Sequence, residues 1–421
     1  MNITTIIRAK AKKIVRILGP GLITGASDDD PSGIITYSRA GASFGFATLW
    51  TVIITFPLMA SVQEMCARIG IVTQEGLTAA VKNHYPKIIL YVIALFSFPA
   101  ITLNIGADIQ CMGSVSHMLV PAVPAIAYSV FFTTLLIFFI IKFNYQKFAL
   151  VLKWLCASLL LYIIVPFLVK ISWDKVFINT IVPTIRFDKD FINILVAILG
   201  TTISPYLFFW QATMEAEDVS KKQNIIIIRK KVIREMQKDI DFGMLFSNLV
   251  MFFIILTTAA VLFNAGIRHI DTIEQAAKAL NPLTGKLTYL LFSVGVFGTG
   301  FLAIPVLAGS LSYIMAETFS WAGGLDKKFH QAKGFYITVI VSLIVGLSLD
   351  IFHVSPVQAL IYTAILYGLT APVLIFIIMH ICNNKKIMGE HTNKKWSNIL
   401  GTITLLLMTI ASIVLIYFQF I

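Results

Sequence analysis

The chain has 421 residues, of which 57% are hydrophobic and only 13% charged, and its mean hydropathy is +0.85. Soluble domains carry about 25% charged residues, so an aqueous enzyme, a nucleic-acid binder and a disordered scaffold are excluded and a polytopic membrane protein remains. The net charge of +12, from 33 basic and 21 acidic residues, then reads as cytoplasmic loop charge, with no nucleic-acid partner.

In chain order, the first element is a basic segment, residues 1–17, with Arg8, Lys10, Lys12, Lys13 and Arg16 ahead of an apolar run. A signal peptide would end on small residues, but here Asp28, Asp29 and Asp30 follow, so the segment is read as a retained cytoplasmic anchor. Hydropathy then predicts about eleven membrane helices, at 18–43, 47–70, 88–119, 125–141, 148–169, 191–213, 242–263, 287–319, 335–349, 357–382 and 399–417. The loops between them are too short for a soluble domain, so 1–421 is read as one transmembrane domain. With the N-terminus inside, 25 of the 33 Lys and Arg fall on the cytoplasmic side and 8 on the other. That asymmetry supports both the count and the orientation, and it places the C-terminus outside. The expected location is the plasma (inner) membrane, with the bilayer as a partner. Cys66, Cys111, Cys156 and Cys382 stand singly in or beside apolar segments and read as core residues, without disulfide or metal spacing.

Two spans are interrupted at matching places in two five-helix halves. The first carries Asp28-Asp29-Asp30-Pro31-Ser32-Gly33 and the sixth Gly200-Thr201-Thr202-Ile203-Ser204-Pro205. Paired broken helices point to a transporter site at the interface of inverted repeats. Three aspartates within a span each cost about 2.5 to 3.5 kcal/mol on insertion scales, and a bound cation would offset that. A hard divalent ion takes carboxylate and carbonyl oxygens, and a proline break frees carbonyls that a continuous helix would use. Both half-helices reach the midplane with their negative, carbonyl-bearing ends, which suits a cation. The competing reading places the aspartates in a solvated turn at the membrane face.

Successive helical residues turn by about 100°, so the three carboxylates cannot share one ion unless the backbone unwinds. Asp30 is therefore the expected principal ligand, with Asp28 and Asp29 in a vestibule. Thr201, Thr202 and Ser204 offer hydroxyls, which equally often bond back to the preceding turn. Thr370, before Pro372, lies in a similar polar kink. Asp108, with Asn104 and Gln110 in the third span, either lines the ion path or pairs within the bundle. Glu64 and Arg68, four apart, suit an internal ion pair. Glu317 reads as an interfacial carboxylate, His117, His269, His353, His380 and His391 as solvated loop-end residues, Tyr206, Phe208, Phe209 and Trp210 as packing or gate, and the 221–238 loop as a basic face for anionic lipid. An intramembrane aspartyl enzyme lacks its second motif. A channel suits paired broken helices less well than alternating access does, and an amino-acid carrier suits three aspartates less well than a cation carrier does.

The stretch Gly19-Pro20-Gly21, Asp30-Pro31-Ser32-Gly33, Ala40-Gly41-Ala42 resembles the first helix of the NRAMP divalent-metal transporters. Gln63 to Thr73 resembles their second helix, and Asn248-Leu249-Val250 the start of the seventh. The resemblance implies a leucine-transporter-like fold, with helices 1–5 and 6–10 as inverted repeats, and a transporter without enzymatic activity or cofactor. It also implies a metal site at Asp30, Gly33, Thr201, Ser204 and Thr370, with Asp28, Asp29, Tyr206 and Asp108 along the path. The departures narrow the cargo. Gly33 stands where the family has asparagine, and Thr370 where it has a tenth-helix glutamine. Ser204-Pro205-Tyr206-Leu207 replaces Met-Pro-His-Asn, and the ninth span lacks arginines. Losing the thioether and the imidazole disfavours soft transition metals and removes a proton carrier. The pattern is similar to the NRAMP-related magnesium transporters, so uncoupled import of Mg²⁺ is expected, with Mn²⁺ also possible. The alternative is conventional proton-coupled Mn²⁺/Fe²⁺ transport.

Overall fold

The computed structural model describes residues 19–143, 157–221, 230–349 and 355–420. The basic segment, Cys156, His353, the first part of the fifth span and residues 222–229 lie outside the described residues. Every regular element among the described residues is helical, and eight helices are long and apolar enough to cross a membrane.

The first span is two helices, α1 (Pro20–Asp28) and α2 (Pro31–Phe44). Pro31 has no N–H for the residue four back, which ends α1, while its fixed φ suits the first position of α2 and Asp30 supplies the cap. Next come α3 (Trp50–Thr73), the short α4 (Leu77–His84), α5 (Lys87–Leu119), α6 (Ala125–Lys142), α7 (Leu161–Leu168) and the short α8 (Trp173–Ile181). The sixth span repeats the break: α9 (Lys189–Thr202) stops at Ile203 and Ser204, and α10 (Pro205–Lys221) starts on a proline. Then follow α11 (Lys230–Thr258), continued by a π turn at Ala259–Phe263, and α12 (Thr288–Phe319), α13 (Lys333–Leu347), α14 (Pro356–Asn383) and α15 (Lys395–Phe420).

Packing between the halves is reciprocal. The first broken helix lies on α11, the second helix of the other half, and α10 of the other broken helix lies on α3, the second helix of its own opposite half; the third helices α5 and α12 pack on each other. This is the pairing an inverted repeat of leucine-transporter type produces. Small residues permit the approach, as in other membrane bundles. Gly25 faces the backbone of Gly243, and Gly200 faces the Ala364 carbonyl and Gly368, so closely that a Cβ would collide with main chain.

Hydropathy located the spans but not their full lengths. α10 runs eight residues past the predicted end and α11 starts twelve before the predicted start, so most of the expected 221–238 loop is helix. These overhanging turns are polar and charged, and a hydropathy window registers only the apolar part.

Candidate cation site at the two helix breaks

Asp28, Asp29 and Asp30 are 1, 1 and 2% exposed, which rules out the solvated turn. Asp30 caps α2: its Oδ1 accepts from the Gly33 N–H at 2.8 Å, and its Oδ2 accepts from Asn104 Nδ2 on α5 at 3.0 Å. Asp28 Oδ2 and Asp29 Oδ1 share the Ser247 hydroxyl of α11, at 2.8 and 3.2 Å. Their other oxygens have no partner. Asp108, one turn beyond Asn104, is fully buried and lies within electrostatic reach of Asp30. Neither of its oxygens has a hydrogen-bond partner.

The two prolines each orphan the carbonyl four residues back, and each carbonyl finds a hydroxyl. Pro31 frees Ser27, whose carbonyl accepts from the Tyr206 hydroxyl at 2.9 Å. Pro205 frees Thr201, whose carbonyl accepts from Ser204 Oγ at 2.6 Å. Tyr206 thus ties one break to the other, and its ring lies 5.7 Å from that of Tyr367 on α14. Gly33 and Thr201 are neighbours across the interface. A Cβ on Gly33 would stand 3.3 Å from the Asp28 carbonyl and 3.6 Å from the Thr201 hydroxyl. Asp28, Asp29, Asp30, Gly33, Thr201, Ser204, Tyr206 and Asp108 therefore come together.

Thr370 does not join them by any hydrogen bond. It is half-buried, and its hydroxyl donates to the Leu366 and Tyr367 carbonyls of its own helix. Thr202 bonds back likewise, to Ile198 at 2.7 Å. Among the described residues no three His, Cys, Asp or Glu converge as a ready metal cluster, so the three adjacent carboxylates do not focus on one point. Sequence reasoning did not give Asn104 or Ser247 their places. Each is a single polar residue in an apolar helix, a weak signal without the partner's position.

Ion pairs among the described residues include Arg68–Glu64, Arg186–Asp188 and Lys231–Glu235. None involves Asp28, Asp29, Asp30 or Asp108. The expected Glu64–Arg68 pair forms at 2.9 Å, and Arg68 also donates to Asn393 Oδ1 at 2.6 Å. Glu317 accepts from the Ala79 N–H at 2.9 Å beside a cavity of about 480 Å³ that Glu75, Glu217 and Asp326 also line. Cys66, Cys111 and Cys382 are buried and free.

Two inverted five-helix halves with polar breaks at their interface define an integral multi-pass carrier. The comparisons with known proteins specify which kind. The Nramp family, described as natural resistance-associated macrophage protein-like, matches residues 21–418, and the chain belongs to that family. Among similar proteins, the divalent metal cation transporter MntH of Staphylococcus saprophyticus is 24% identical, covering 96% of this chain and 92% of the relative. That of Caldanaerobacter subterraneus is 23% identical, covering 96% and 94%. The manganese transporter of Eremococcus coleocola superposes with a TM-score of 0.75 at 16% identity, covering 95% of this chain and 86% of the other. Mhp1, a nucleobase-cation-symport-1 transporter, shares the fold at a TM-score of 0.59 and 14% identity, covering 94% and 91%. The relatives are transporters, and the enzyme alternative falls away.

Proposed function

We propose that this chain imports a divalent metal cation by alternating access, holding it between the two breaks, and that Mg²⁺ is the preferred cargo. The observation that carries the reading is a charge imbalance. Four buried carboxylates, Asp28, Asp29, Asp30 and Asp108, have no basic partner among the described residues. Uncompensated charge in a low-dielectric interior is strongly unfavourable, and a divalent cation supplies the compensation. Asp30 is the principal ligand: its oxygens each accept one hydrogen bond, and a carboxylate has about four lone-pair sites, leaving capacity for a metal. Asn104 Oδ1, buried without a partner, and the Thr201 and Ser204 oxygens complete a hard-ligand set, and Asp28 and Asp29 line the approach. Thr370 stays at the rim.

The hydroxyl at Ser204 and the bare Gly33 favour a hard ion that keeps part of its water shell. With Tyr206 engaged by the Ser27 carbonyl and no imidazole at the break, transport proceeds without a coupled proton. The N-terminus is cytoplasmic and the C-terminus outside, in the plasma membrane. The carboxylates of the cavity beside Glu317 then attract the cation on release. One observation favours the second reading, proton-coupled Mn²⁺ transport. A buried thiol, Cys111, lies within electrostatic reach of Asp108 and Asp30, and sulfur prefers softer metals.

Uptake into proteoliposomes containing a trapped pH dye separates the two. Mg²⁺ entry without acidification, lost in Asp30→Ala, is the expected outcome. Mn²⁺ entry accompanied by protons, with Mg²⁺ ignored, would favour the second reading.

A further inference from the structure

At the end of the bundle opposite the acidic cavity lies a second cavity, of about 580 Å³, formed where α2 ends and α9 and α14 begin. The positive-inside pattern leaves eight Lys and Arg on this side, and only three of them are arginines: Arg39, Arg186 and Arg268. All three line this one cavity, with His269 beside them.

Their surroundings leave the guanidinium groups available. Arg39, half-buried on α2, makes no hydrogen bond or ion pair among the described residues. Arg186 sits over the Phe44 ring at 6.0 Å, and Arg268 over the Phe263 ring at 3.2 Å. Stacking engages the flat face of a guanidinium and leaves its N–H edge free. The Arg268 main chain is held by Ser43, whose hydroxyl donates to its carbonyl at 2.7 Å. Two aspartates share the cavity, but Asp188 is already used. It caps α9 through the Phe191 N–H at 2.9 Å and lies 3.9 Å from Arg186 in a loose, exposed pair. Asp190 lies in the first turn of α9, where the helix dipole favours a negative charge.

We infer that this cavity is a binding site for a multivalent oxyanion, of phosphate or polycarboxylate chemistry, gripped by Arg39, Arg186 and Arg268. Planar N–H forks match such oxygens in pairs, which a lysine does not do, and three arginines converging where basic residues are otherwise sparse is the arrangement that chemistry requires. The site is separate from the cation site: it lies at the end of the bundle opposite the acidic cavity, and its residues are not those around Asp30. The same chemistry comes from a soluble anion or from a lipid headgroup at the membrane face.

Inorganic phosphate is the probe. Calorimetric titration into the full chain in neutral phosphatidylcholine nanodiscs is expected to show saturable binding that citrate and sulfate displace. Arg39→Gln is expected to weaken it about tenfold, as is Arg268→Gln, whose side chain is exposed and gives up only its stacking on Phe263. Arg39→Lys, which keeps the charge and loses the fork, should restore less than half of the loss in binding free energy. Repeating the titration in phosphatidylglycerol nanodiscs distinguishes the sources. Undiminished phosphate binding there identifies a soluble anion, and competition by the lipid identifies a headgroup. Absence of saturable binding in neutral nanodiscs, or binding unchanged in both glutamine variants, would overturn the inference.

Discussion

Asp30 carries two jobs that a single carboxylate can combine. As the cap of α2 it fixes where the second half of the broken helix begins, and as an anion it faces the interface with the sixth span. Asn104 is what lets it do both, because its amide holds Oδ2 in place while the Gly33 N–H holds Oδ1. Hydrogen bonds to charged groups contribute roughly 1.5–3 kcal/mol. Asn104→Ala is therefore expected to raise the KM for cation uptake about tenfold or more, with the protein still folded and inserted; an unchanged KM would remove Asn104 from the site. The aspartates were legible in the sequence because three acids and a proline contradict an apolar span. Asn104 and Ser247 were not, since one polar residue in a long helix states neither which way it points nor what it meets.

At the level of the helix, the breaks work because each orphaned carbonyl is recaptured. Ser204 closes the sixth break locally, and Tyr206 reaches across to the first. Sequence reasoning treated Tyr206 as packing or gate material and the freed carbonyls as metal ligands. The Thr201 carbonyl accepts the Ser204 hydroxyl, the local bond-back open to such a residue, and the Ser27 carbonyl accepts the Tyr206 hydroxyl, a pairing that only the docked helices reveal; each carbonyl keeps a second lone pair. The close α9–α14 contact at Gly200 fixes that docking. A side chain there must displace the Ala364 main chain, so Gly200→Val is expected to cost about 1–3 kcal/mol, measured as a lower midpoint of thermal unfolding in detergent. A variant as stable as the native chain would mean that this contact does not hold the sixth break in place. The polar ends of α10 and α11 show the other limit of the sequence. Helix continues wherever the backbone can bond to itself, whereas hydropathy stops where the membrane does.

Across the whole molecule, an acidic and a basic cavity lie at opposite ends, and the four carboxylates are buried between them. A buried site between two reciprocally packed halves is what the proposed alternating access requires, with that packing as the pivot. The fold was legible because two breaks at equivalent positions and a lopsided charge count survive any error in span boundaries. The convergence of three arginines on one cavity was not legible, because they stand at positions 39, 186 and 268 of the chain and meet only when the repeats close. The central claim, a divalent cation seated between the breaks, is tested most directly by anomalous diffraction from crystals of the full chain grown with Mn²⁺, a hard-site probe with a measurable anomalous signal. One strong peak is expected in direct coordination with Asp30, between α1–α2 and α9–α10, and it disappears in Asp30→Ala. A peak confined to the acidic cavity beside Glu317, or one that persists at the breaks in Asp30→Ala, would contradict that seat.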